Sequence, residues 1–146
     1  MLRRPHLAVI PAVAVALAVT GCGGSDDADF VEGYNSAVAP LATLMSDLGP
    51  SAGADPAAAS KSLVQLADGL DGVRTKLAAL EPPQDAADEL DTMLGALDKG
   101  TDQVSAMASA AKDGDVEKLT KATEKFSRTG TQLVTAEAQL RTAVEG

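Results

Sequence analysis

Three observations predict an all-α chain folded as an antiparallel up-down-up-down four-helix bundle. Alanine is abundant, Ile is absent after Ile10, and the aromatic residues are Phe30, Tyr34 and Phe126, a usage that favours helix over strand. Four segments repeat apolar residues at alternating steps of three and four, the spacing that lines one side of a helix. Short stretches rich in Gly and Pro separate these segments, so consecutive helices must turn back on one another.

The first helix is expected from about Asp29 to Leu48, with Val31, Tyr34, Val38, Leu41, Met45 and Leu48 on its apolar stripe. Pro40 lies inside it, removes one backbone hydrogen bond and crowds the carbonyl of Ser36, which predicts a bend or break. Asp55-Pro56 then starts the second helix, because Asp can cap free N–H groups and Pro fits the first turn. This helix carries Leu63, Leu66, Leu70, Val73, Leu77 and Leu80, and Pro82-Pro83 ends it. The third begins in "PPQDAADEL" and continues through Leu90, Leu94, Leu97, Thr101, Val104, Ala108 and Ala111. Gly114 suits the left-handed residue that terminates it, and Asp115 suits the cap of the fourth helix, about Val116 to Val144. In the fourth, Leu119, Phe126, Leu133 and Leu140 recur every seven residues, with Ala122, Thr129, Ala136 and Ala143 three positions after each. That alternation of large and small residues lets neighbouring helices approach closely. Gly69, Gly72, Gly95, Gly100 and Gly130 should weaken the helices by up to about 1 kcal/mol each relative to Ala.

Residues 1–21 read as an export signal. Arg3 and Arg4 precede an apolar run from Leu7 to Val19, and small residues precede Cys22. Thirteen helical residues would reach only about 20 Å, short of a hydrocarbon core of about 30 Å, so the run does not predict a stable span. Val19-Thr20-Gly21-Cys22 matches the lipobox, and in this stretch the chain resembles bacterial lipoproteins. The resemblance implies that Val19, Thr20 and Gly21 are read by the lipoprotein signal peptidase, that the Cys22 thiol receives a diacylglyceryl group, and that cleavage makes Cys22 the N-terminus. Two acyl chains hold a protein on a bilayer where one gives only marginal binding. The competing reading is a signal cut elsewhere, leaving Cys22 as a free thiol or an intermolecular disulfide. Gly23 to Asp27 is expected to form a flexible tether, placing the lipidated Cys and tether at 22–28 and the bundle at 29–146. The alanine content is similar to that of small envelope lipoproteins of high-GC Gram-positive bacteria, most without an assigned activity.

Removing residues 1–21 takes away Arg3, Arg4 and His6 and no acid, so the formal charge moves from −9 to −11. A chain this acidic is repelled by nucleic-acid phosphates, which excludes that partner class. Cys22 is the single cysteine, so the expected domain has no internal disulfide and relies on its hydrophobic core.

Nucleophilic catalysis needs a base beside a Ser, Cys or Thr. The chain after residue 21 has no His and its serines lie in no nucleophile motif, so no catalytic residue is expected. Asp85, Asp88, Glu89 and Asp91 are read as acids complementing a helix N-terminus rather than as metal ligands, since the Glu-x-x-His partner of carboxylate bundles is missing. No metal or cofactor is expected. Lys118, Lys121, Lys125 and Arg128 form a basic stripe, diluted by Glu117 and Glu124 at pairing distance from Lys121 and Arg128. Phe30, Tyr34 and Phe126 are candidate lining for a small apolar or lipid ligand, set against the plainer reading that they are core. The expected function is a non-enzymatic interaction or scaffold module, anchored through Cys22 on the extracytoplasmic face of the cell membrane, with an envelope protein or polymer as partner. The alternative is a carrier holding an apolar ligand between its helices. Leu133, at an expected core position, should cost roughly 2–5 kcal/mol when cut to Ala.

Overall fold

The fold is a computed structural model describing residues 25–51 and 56–145. Four helices follow in order: α1 over Ser25–Ser51, α2 over Pro56–Ala78, α3 over Ala87–Asp113 and α4 over Val116–Glu145. A single 3-10 turn, Gln84–Ala86, leads into α3. α1 packs on α2, α2 on α3 and α3 on α4, giving the four-helix bundle expected from the sequence. The backbones of α1 and α4 approach less closely than those of sequential neighbours, so that seam is closed by side chains.

The core follows the expected stripes. Val31, Tyr34 and Val38 of α1 are buried together with Leu66, Leu70, Val73 and Leu77 of α2. Leu90, Leu97 and Val104 of α3 and Ala136 and Leu140 of α4 complete it, while Leu133 and Phe126 pack against its edge. Asp55, the expected cap of α2, lies outside the described residues, as do the side chains of Met45 and Leu48 from the expected α1 stripe.

Two expectations for α1 are corrected. Its helix begins at Ser25, so residues 25–28, expected as tether, are helical, although burial begins only at Phe30. Asp27 and Asp29 explain the extension, since acids in the opening turns face the positive end of the helix dipole. Nor does Pro40 break the helix, which is continuous through it. Ser36 and Pro40 are both exposed, so water can take the carbonyl that Pro40 leaves without a donor, while Ala37 and Val38 stay packed.

The α3–α4 corner forms as expected. Gly114 has φ of 69° and its N–H donates to the Ala111 carbonyl at 3.2 Å. The Lys118 amide then donates to Asp115 Oδ1 at 3.0 Å, capping α4 and holding the Asp115 carboxyl below its ordinary range. Between α2 and α3, the Ser60 hydroxyl donates to the Ala108 carbonyl at 2.9 Å, and Arg74 grips Asp98 with Nε 2.9 Å from Oδ1. That ion pair is largely exposed and adds little stability.

The glycines divide into two kinds. A Cβ at Gly33 would stand 2.7 Å from Leu80, and one at Gly69 would collide with Leu44, so each glycine is a hole filled by a leucine across the α1–α2 contact. Gly72 and Gly95 face open space. Gly72→Ala and Gly95→Ala should therefore each stabilise the bundle by about 0.5–1 kcal/mol, measurable as a rise in the urea midpoint at unchanged slope.

Candidate functional site

Tyr34 and Glu137 meet at the α1–α4 seam near the start of α1, while Thr129, also buried, lies farther along α4 beside Gly100. Tyr34, fully buried, donates its hydroxyl to Met93 Sδ of α3 at 3.6 Å. The Phe30 ring sits one turn before it, centroid to centroid 6.4 Å and tilted by 40°. From α4, Glu137 is 8% exposed and accepts from Arg141 Nη2 at 3.4 Å. Burial drives the Tyr34 phenol up, with the Glu137 charge adding to it and the Arg141 charge opposing. Burial also raises the Glu137 carboxyl, and Arg141 partly offsets that. The Tyr34 phenol thus stays protonated at neutral pH, and the group as a whole is fitted to joining α1, α3 and α4.

Sequence reasoning missed Glu137, although its signal was present. Leu133, Glu137, Leu140 and Val144 continue the three-four spacing of α4, so the glutamate occupies a stripe position. A charge there has a thermodynamic consequence. Because the folded-state pKa of Glu137 lies above the unfolded value, the folded chain holds the proton more tightly, and stability falls as pH rises from the ordinary glutamate range through the raised one. Glu137→Gln should flatten the stability–pH curve in that window, with the difference between the two proteins growing as pH rises; chemical melts across the window measure it.

Of the candidate ligand-lining residues, the structure joins Phe30 and Tyr34 and sets Phe126 apart. Phe126 lies over Gly100, with a ring carbon 3.8 Å from where a Cβ would be. Eleven residues separate it from Glu137, about 16 Å along α4. Phe30 and Tyr34 are filled in by the core. An open, shallow surface groove runs between α3 and α4 and is lined by Glu89, Thr135, Ala138, Gln139, Thr142 and Ala143, none of the three aromatics.

The remaining candidates sit on the surface. Asp85, Asp88 and Asp91 are exposed on the 3-10 turn and the opening of α3, and among the described residues no three His, Cys, Asp or Glu come together at metal-holding spacing. Lys118 pairs with Asp115 at 2.9 Å and Lys121 with Glu117 at 2.6 Å. The expected Glu124–Arg128 pair does not form; both side chains are exposed, where fixing two long side chains returns little. Val19, Thr20, Gly21 and Cys22 lie outside the described residues. Compared with family models, curated proteins and solved structures, the chain matches none.

Proposed function

We propose that the protein is a lipoprotein, acylated on Cys22 and held on the outer face of the cell membrane, whose helical bundle works by binding rather than by catalysis. The observation that carries this reading is the run from Arg3 through the apolar stretch to Val19-Thr20-Gly21-Cys22. Among the described residues no helix is long and apolar enough to cross a membrane, which is compatible with attachment by lipid. The partner in this reading is a protein or polymer of the envelope, met by the exposed helix faces. The carrier alternative gains no support from Phe30 and Tyr34, whose rings are used in the core.

Cys22→Ala should abolish acylation and move the protein from the membrane fraction to the soluble one, or leave its precursor uncut. Mass spectrometry of the wild-type protein extracted from its own membrane should give Cys22–Gly146 plus one diacylglyceryl group. A wild-type mass without that group, or a Cys22→Ala protein that is still cut after Gly21 and still held on the membrane, would overturn the reading.

A further inference from the structure

Charge is distributed unevenly around the bundle. Residues 33–46 of α1 include no charged side chain, and residues 129–140 of α4 include only Glu137, which is buried and accepts from Arg141. By contrast, α2 exposes Lys61, Asp68, Asp71 and Lys76, and α3 exposes Asp91, Asp98, Lys99 and Asp102. The two uncharged stretches lie side by side. Successive helices reverse direction, so α1 and α4 run antiparallel, and with Tyr34 beside Glu137 and Arg141 the residues Ala39 and Ala42 come level with Val134 and Thr131. Ala39, Ala42 and Thr43 are exposed, as are Thr131, Val134 and Thr135. The α4 hydroxyls are already satisfied: Thr131 donates to the Ser127 carbonyl at 3.3 Å and Thr135 to the Thr131 carbonyl at 3.0 Å. Covering this face therefore strands neither donor, and it buries the Val134 side chain.

We infer that this uncharged α1–α4 face is where two copies of the chain meet. The chain carries a formal charge of −9, so two copies repel each other wherever both present acids, and on this face neither does. Fourteen helical residues extend about 21 Å, and two helices about 10 Å apart make a face about 20 Å wide. With side-chain relief that reaches the lower edge of specific interfaces, about 600 Å² on each partner. The flanking charges select the symmetry. Glu32 and Asp47 bound the α1 stretch in sequence, whereas Arg128 and Arg141 bound the α4 stretch. A two-fold axis parallel to the helices lays α1 of each copy on α4 of the other, so the acid-bounded stretch meets the base-bounded one. A perpendicular axis sets acids on acids and bases on bases. The parallel axis also places both α1 openings at one end, as two copies held on one bilayer require. The inference goes beyond the lipid-anchor reading and does not depend on it.

Sedimentation equilibrium tests this on the chain from Cys22 to Gly146, which keeps all four helices and carries Cys22→Ser so that no disulfide can link copies. Between about 5 µM and about 1 mM the apparent mass should rise from monomer to dimer. Raising salt from about 0.05 M to about 0.5 M should tighten the dimer on the order of tenfold, because screening weakens the repulsion between two acidic bodies while the contact itself holds no charge. Val134→Glu sets a charge inside the contact in both copies and should loosen the dimer by about tenfold or more. Val64→Glu on α2 is its matched control, since Val64 is 47% exposed and Val134 46%, and it should stay within about twofold of the parent chain. Both variants should keep the far-UV helical signal. A monomer at every concentration, a dimer loosened by salt, a dimer that Val134→Glu leaves intact, or equal loss from the two variants would overturn the inference. Acylation plays no part in this measurement, so failure of the lipoprotein reading shows separately, in the mass of the native protein.

Discussion

Leu140→Ala should lower the unfolding free energy by roughly 3–5 kcal/mol, whereas Leu133→Ala should cost about 1–2 kcal/mol, as measured by urea denaturation of the chain from Cys22. Both leucines sit on the seven-residue repeat of α4, and from that repeat alone Leu133 ranks with the core. The structure separates them. Leu140 has no exposed surface and belongs to the central cluster, while Leu133 is half-buried and packs against its edge. Cutting Leu140 leaves a cavity inside the central cluster, and the loss is the transfer term plus the cavity term. Cutting Leu133 leaves a notch that water can enter, so only part of the transfer term is lost. Equal costs would mean that α4 is rotated about its axis relative to the arrangement described.

That contrast also shows what the sequence could and could not specify. The three-four stripes were sufficient to place Leu66, Leu70, Val73 and Leu77 inward, because a helix with those residues on one side has only one way to hide them. Gly114 and Asp115 were legible because their roles are set by backbone geometry within a single corner. The holes at Gly33 and Gly69 were not. Gly33 is filled by Leu80, just past the end of α2, and Gly69 by Leu44 of α1, and both pairings depend on the axial offset of α1 against α2, which no local pattern encodes. The early start of α1 was missed for another reason. Ser25 to Ala28 lacks the apolar content that marks a helix by periodicity, and it is helical because acids suit the first turns and the stripe beyond them propagates the helix backward. The site was legible in part. Tyr34 was legible as a member of the α1 stripe, whereas Glu137 was passed over because the α4 stripe was read from its apolar and small residues alone.

Tyr34→Ala should cost roughly 3–5 kcal/mol, and Tyr34→Phe should stay within about 1 kcal/mol of the wild type. The ring fills space among α1, α3 and α4, so its removal opens a cavity where the α1 and α4 backbones already stand apart. The hydroxyl contributes far less, since its acceptor is the Met93 thioether, a weak one at 3.6 Å. Because α1 is held mainly by α2, the damage from Tyr34→Ala should not spread evenly. Hydrogen exchange should show the amides of α1 losing protection while those of α2 and α3, which pack most extensively on each other, keep theirs. Uniform loss along the chain would mean that α1 folds as one unit with the rest.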